Sequence, residues 1–251
     1  MTRLCQHRLS ATCMAAATLL TILLTAASWA AEPEALELGT SDLSAWRGNT
    51  GQWTIVGQAV QDPDDPRRIA TAQGSGVLVN GPTGRTCNLL SKCEHRDVEA
   101  HIEFMVPEGS NSGVYFQGRY EVQILDSWGK DHVKHGDCGG IYQRWDRQKN
   151  QGFEGHPPRV NVSRKPGEWQ TFDVVFRAPR FDANGSKTSN ARFVKVMHNG
   201  VLVHEDVEVT GPTRAATFSD EAPTGPLMLQ GDHGPVAYRN LRLRLLSPKR
   251  D

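Results

Sequence analysis

The chain has little that would hold nucleic acid. Lys and Arg together number 28, as do Asp and Glu. The basic residues form no stripe and do not interleave with aromatics, so nucleic acid is not an expected partner. Beyond residue 30 no apolar run is long enough to cross a bilayer. No stretch holds a long helical period, which argues against a bundle or an α/β fold. No glycine-rich dinucleotide fingerprint is present, so oxidation by a nicotinamide or flavin cofactor is not expected of this chain. Cysteine is scarce: there are 5, and their spacing matches no metal site.

Two of these, Cys5 and Cys13, lie in a leader-like beginning. Arg3, His7 and Arg8 make a weakly basic start, and an Ala- and Leu-rich run follows from Met14 to Ala27. Ser28-Trp29-Ala30 then places small residues at the two positions a signal peptidase reads. Residues 1–30 are expected to be a signal peptide, and residues 31–251 a single exported domain, secreted or periplasmic, with no stable membrane insertion after cleavage. Without Arg3 and Arg8 the remainder is slightly acidic. Cys87, Cys93 and Cys138 stay in it. Export permits disulfides, with Cys87–Cys93 and Cys93–Cys138 the attractive pairs. The odd count leaves at least one thiol unpaired unless two chains join.

What the chain does have is short β-rich runs between turn residues, with 24 Gly and 14 Pro to supply the turns. Val98, Ala100, Ile102 and Phe104 alternate with Glu99, His101 and Glu103, a two-residue period. Comparable runs fall at Trp46–Val60, Gly76–Val79, Gly139–Trp145, Trp169–Phe176, Phe193–His198, Val201–His204, Pro226–Gln230 and Val236–Leu246. Asn199-Gly200 is a strong hairpin dipeptide. Evenly spaced strands of this kind predict an all-β sandwich or jelly roll, with 148–166 and 177–190 as long surface loops.

Asn111 to Asp126 is the most informative stretch. It reads as a hairpin turning at Gly118 and Arg119. Val114, Phe116, Tyr120, Val122 and Ile124 fall on one face by strand alternation. Tyr115, Gln117, Glu121 and Gln123 fall on the other, with Asn111 at one end. A solvated outer face is the default for such a pattern. Here, however, the polar groups are amides, a phenol and a carboxylate, without Lys. Such groups make directional hydrogen bonds to sugar hydroxyls, and aromatic rings stack on sugar faces.

Asn111-Ser112-Gly113 followed by Tyr120-Glu121-Val122-Gln123-Ile124-Leu125-Asp126 resembles the signature of the 3-keto-disaccharide hydrolase domain family. Trp46, Trp53, Gly139-Gly140-Ile141-Tyr142, Pro166-Gly167-Glu168-Trp169, Asn199-Gly200-Val201, Gly225-Pro226-Leu227, Leu229-Gln230, His233-Gly234 and Arg239-Asn240-Leu241 extend the resemblance over roughly residues 40 to 246. It implies a concanavalin A-like jelly roll of two antiparallel sheets. It also implies bacterial, extracytoplasmic action on sugars oxidised at C3, with a separate sugar 3-dehydrogenase in the same pathway. Gln117 departs from the family, where Arg is common.

A 3-keto sugar has an acidified proton at C2. Its removal, loss of the C1 substituent and addition of water amount to hydrolysis. That sequence needs a base of tuned pKa and donors facing the new oxyanion. Glu121, mid-strand on the polar face, is the expected base. His233 is the expected second acid or base, and Arg239 the expected oxyanion or hydroxyl partner; a surface-loop His and an ion-paired Arg are the bland alternatives. Asn111, Tyr115, Gln117, Gln123, Asp126, Tyr142 and Gln230 are candidate sugar contacts. Tyr142 has a packing role as its alternative, and Asp126 a strand-end turn role. A divalent ion at this face would also stabilise an enediolate, and the sequence neither requires nor excludes one.

Two rival readings stand beside this one. Glu121-x-Gln123-x-x-Asp126 resembles the acidic strand of β-glucanases, in which two carboxylates perform ordinary retaining hydrolysis. A bulge would be needed to turn Asp126 onto the face of Glu121. A non-catalytic, lectin-like carbohydrate-binding module would use the same fold and the same amide-rich face.

Overall fold

The computed structural model describes residues 35–247, so the expected signal peptide lies outside them. The strands run in chain order as β1 (Leu36–Glu37), β2 (Thr54–Gln61), β3 (Ile69–Val79), β4 (Leu89–His95), β5 (Val98–Met105), β6 (Asn111–Phe116), β7 (Tyr120–Leu125) and β8 (Arg144–Asp146). There follow β9 (Gln151–Phe153), β10 (Gln170–Arg177), β11 (Arg180–Phe181), β12 (Lys187–Ser189), β13 (Ala191–His198), β14 (Val201–Val209), β15 (Gly225–Leu229) and β16 (Ala237–Leu245). No helix occurs among the described residues.

The larger sheet is ordered β14-β13-β10-β5-β16-β3-β2, with β1 paired to β16; the smaller is β4-β15-β6-β7. Pairing is antiparallel throughout. In β5 the alternation becomes burial: Val98, Ala100, Ile102 and Phe104 join the core. The small sheet answers with Val114, Phe116, Tyr120, Val122 and Ile124. Phe116 stacks on Phe176 at 5.2 Å and meets Phe193 edge-on at 5.5 Å. These contacts bind the two sheets face to face, and each aromatic pair contributes about 1 kcal/mol beyond its buried area. The architecture is the concanavalin A-like β-sandwich expected from the sequence.

Three features differ from the sequence reading. The first is β4, which was not foreseen. Its inward positions include Ser91 and His95, both fully buried, so polar residues mask the alternation. Burial holds the His95 pKa down at about 4. The ring is therefore neutral: Nε2 accepts the Gln117 amide at 3.0 Å, while Nδ1 donates to the Arg96 carbonyl at 2.9 Å.

Second, the two expected loops carry small elements. Residues 148–166 include β9, which pairs with β8, and residues 177–190 include the β11–β12 hairpin. Third, Cys87, Cys93 and Cys138 are all free thiols. Cys93 belongs to β4, on one edge of the small sheet. Cys138 lies beside β7 on the opposite edge, where the Gly139 amide donates to the Gln123 carbonyl. The intervening strands keep that pair apart.

Candidate active site

The outer face of the small sheet is built from the β6–β7 hairpin. Tyr115 pairs across from Glu121, and Gly113 across from Gln123. Alternation sends Asn111, Tyr115, Glu121 and Gln123 away from the core. Gly113 has a specific part here. A Cβ on it would collide with Oε1 of Glu121 and press on the Tyr115 ring. The missing side chain is the space in which the Glu121 carboxyl lies.

Neighbouring segments complete the site through main-chain bonds. On the outer edge of β7, the Gln123 amide donates to the Gly140 carbonyl at 2.8 Å, and the Tyr142 amide to the Glu121 carbonyl at 3.1 Å. This pairing brings Tyr142 alongside. The Glu121 amide donates to Thr213 Oγ1 at 3.2 Å, which anchors the loop carrying Arg214. On the other side, the Gln230 amide donates to the Gly113 carbonyl at 2.9 Å. That bond sets Gln230 and, three residues on, His233.

The result is a cavity of about 340 Å³ lined by Asn111, Tyr115, Glu121, Gln123, Tyr142, Arg214, Ala215, Gln230 and His233. The size suits a monosaccharide ring. Gln230 Nε2 lies 3.5 Å from the Tyr115 hydroxyl and donates to it. His233 Nδ1 is 2.5 Å from Oδ1 of Asp232. That contact fixes Nδ1 as the protonated nitrogen and leaves Nε2 free as an acceptor.

Glu121 lines the cavity yet is only 2% exposed. Burial raises its pKa to about 8; a hydrogen bond with Tyr115 opposes the shift, and the charge of Asp232 adds to it. The carboxyl is therefore largely protonated at neutral pH. That is the form of a proton donor, not of the base expected from the sequence. The same burial, with Glu121 beside it, lifts the Tyr115 phenol well above its ordinary pKa, so it remains a neutral donor.

Three residues singled out from the sequence lie elsewhere. Arg239 sits on β16 in the larger sheet. Its neighbour Tyr238 faces the core, so alternation turns Arg239 to the outer face of that sheet. There Nε donates to Glu103 at 2.6 Å and the guanidinium covers Trp169 at 4.1 Å. Gln117 belongs to the hairpin turn. It has a left-handed φ of 55°, followed by 64° at Gly118. Strand alternation stops there, and its side-chain amide donates to the His95 and Pro223 carbonyls. The turn is thus centred on Gln117-Gly118, one residue earlier than expected. Asp126 takes the strand-end turn role, accepting from the amides of Gly109 at 2.9 Å and Trp128 at 3.4 Å. It faces a different depression, with Trp128 and Lys165. No bulge brings it to Glu121, which removes the two-carboxylate reading.

Arg214 and Asp232 were not foreseen as site residues. Arg214 comes from a loop without periodicity. Asp232 stood in view in Gln230-Gly-Asp-His-Gly, and its adjacency to His233 was the usable signal. Among the described residues no group of three or more His, Cys, Asp or Glu side chains is placed to hold a metal ion.

Residues 36–244 match the model of the 3-keto-alpha-glucoside-1,2-lyase-like domain. A crystal structure of a provisionally named glycosyl hydrolase from Parabacteroides distasonis is 28% identical, with a TM-score of 0.62 and 84% of each chain covered. A second such protein from that organism is 20% identical with a TM-score of 0.55, covering 85% of this chain and 100% of its own. That likeness speaks for the fold alone. No curated protein matches the chain significantly.

Proposed function

The chain belongs to the 3-keto-alpha-glucoside-1,2-lyase-like domain family, and from that premise we propose that it cleaves glycosidic bonds of 3-keto glycosides by elimination and hydration. One observation carries the reading. A buried, neutral carboxyl at Glu121 shares a sugar-sized cavity with a histidine oriented by Asp232. A carboxyl that keeps its proton is suited to the acid role, and an imidazole with an unprotonated Nε2 to the base role.

The C3 carbonyl acidifies the proton at C2. His233 Nε2 takes that proton, and Asp232 stabilises the resulting imidazolium. The electron pair moves into the C2–C3 bond and onto O3 as an enediolate. The amides of Asn111, Gln123 and Gln230 supply donors for that oxygen or for neighbouring hydroxyls. The enediolate collapses, C1=C2 forms, and the C1–O bond breaks. Glu121 gives its proton to the leaving oxygen.

The two groups now hold the complementary states. The Glu121 carboxylate takes a proton from water as its oxygen adds to C1, and His233 returns its proton to C2. The site is restored and the net change is hydrolysis. Catalysis by such groups typically contributes about 10²–10⁴-fold each.

We further propose export from the cytoplasm, with the oxidised sugar supplied by a separate 3-dehydrogenase. The test is sugar release by purified protein from a 3-keto disaccharide and from its unoxidised parent. Release from the 3-keto substrate alone is expected. Release from the parent alone overturns the mechanism, and release from neither favours a carbohydrate-binding module.

A further inference from the structure

A second cavity, of about 430 Å³, adjoins the first. Arg214 and Ala215 line both, so the two border one short segment. The second is bounded on one side by β8 and on the other by the chain from Pro212 to Ser219. Arg144, Arg147 and Arg214 line it, together with Trp145 and Phe218, and no Asp or Glu does.

The three arginines differ in how their charge is used. Arg144 is paired with Glu154 at 3.3 Å. Arg147 and Arg214 make no ion pair among the described residues, although this chain matches its basic residues with equal numbers of acids. Arg214 is nevertheless held in place. Its amide donates to the Gln143 carbonyl at 2.8 Å, and its guanidinium lies on the Trp145 ring at 3.9 Å. Stacking of this kind fixes the plane of the guanidinium and leaves its N–H fork for a ligand. A cation that is positioned but not neutralised, bordering two cavities, suits an anion that enters with the substrate.

We propose that this cavity receives the leaving group of the 3-keto glycoside, and that the favoured leaving group carries a negative charge. The assignment rests on the elimination reading above, which places the oxidised ring beside Glu121 and His233. The C1 substituent then extends past Arg214 into the second cavity. A carboxylate on a sugar leaving group, as in a uronic acid, is the chemistry that Arg147 and Arg214 would recognise.

Two 3-keto glucosides test this, one with glucuronate and one with glucuronamide as the leaving sugar. They match in shape and differ in charge. Wild-type protein is expected to show a kcat/KM about tenfold higher for the glucuronate, two exposed arginines each contributing about three- to fivefold. Raising the salt from about 0.05 to 0.5 M is expected to shrink that ratio, because exposed charges are screened. Arg147→Gln is expected to lower the ratio to about threefold, and Arg147→Asp to bring it near or below one. Thermal melts establish that both variants fold.

Cleavage of both substrates at equal kcat/KM, or a ratio unmoved by the Arg147 variants and by salt, overturns the subsite and leaves the elimination reading intact. Cleavage of neither substrate sinks the elimination reading instead. Calorimetry with free glucuronate and glucuronamide then decides the subsite: tighter binding of glucuronate, weakened by Arg147→Asp, upholds it, and equal binding overturns it.

Discussion

The Glu121 carboxyl lies over Gly113, in space that a Cβ on that residue would occupy. The two residues sit on adjacent strands, with Gly113 registered opposite Gln123. A glycine in a strand interior weakens the strand. Here its value is the room it leaves. The carboxyl can rest against the sheet, lose water and still face the cavity.

Gly113→Ala tests that relationship. The methyl group would push the carboxyl off the sheet and crowd Tyr115. Activity on a 3-keto substrate is expected to fall about 100-fold, in keeping with misplaced catalytic groups. Stability should fall by about 1–3 kcal/mol, as for other overpacked sites. Single-turnover kinetics and denaturant melts separate the two effects. Unchanged kinetics would show that the carboxyl position does not matter.

The raised Glu121 pKa gives a pH dependence with a definite sign. In the proposed mechanism the acid form protonates the leaving group, so elimination should decline as pH rises through about 8. Stability follows the same direction. Since the folded pKa is above the ordinary 4.5, the Glu121 contribution is fully present below pH 4.5. It is lost progressively as pH rises towards about 8. Glu121→Gln, which cannot ionise, should therefore gain stability over wild type between pH 5 and 8, by on the order of a few kcal/mol at most. It should lose turnover while keeping sugar affinity. Parallel pH–stability curves for the two proteins would contradict the assignment.

Removal of the Asp232 carboxylate should act through His233. Asp232→Asn keeps the shape but no longer stabilises the imidazolium. A kcat loss of about 10- to 100-fold is expected, with KM little altered, because the contact matters most once the ring is charged. His233→Ala should cost about 10²–10⁴-fold. Both residues are half-exposed, so neither change is expected to disturb folding. Similar KM and kcat losses in Asp232→Asn would point to ground-state positioning alone.

Arg239→Ala provides the contrasting case. It removes an ion pair with Glu103 and a stack on Trp169, both on the far sheet. Turnover is expected to stay within about twofold of wild type, while stability falls by about 1 kcal/mol. A large loss of kcat with unchanged stability would return Arg239 to the site.

Much of the sandwich was legible because alternation is a local property. Val98 to Phe104 and Val114 to Ile124 announce their buried faces residue by residue, and each does face the core. That face in turn fixes the opposite one, so Tyr115, Glu121 and Gln123 could be placed together from sequence alone. β4 was hidden because Ser91 and His95 are buried through hydrogen bonds that reach distant parts of the chain.

Alternation cannot say which sheet a strand joins. Arg239 follows a core tyrosine as regularly as Glu121 does, yet β16 entered the larger sheet and carried Arg239 to the opposite surface. Nor can it follow a chain through a turn, where Gln117 takes a left-handed backbone and leaves the strand pattern. Local sequence was enough for an all-β chain, most of its core positions and the polar face of one hairpin, because nearest neighbours along a strand decide these. The tertiary structure alone decided which loops close over that face, that the Glu121 carboxyl is dry enough to hold its proton, and that Arg214 borders two cavities. Those outcomes depend on segments far apart in the chain, and on how completely they exclude water.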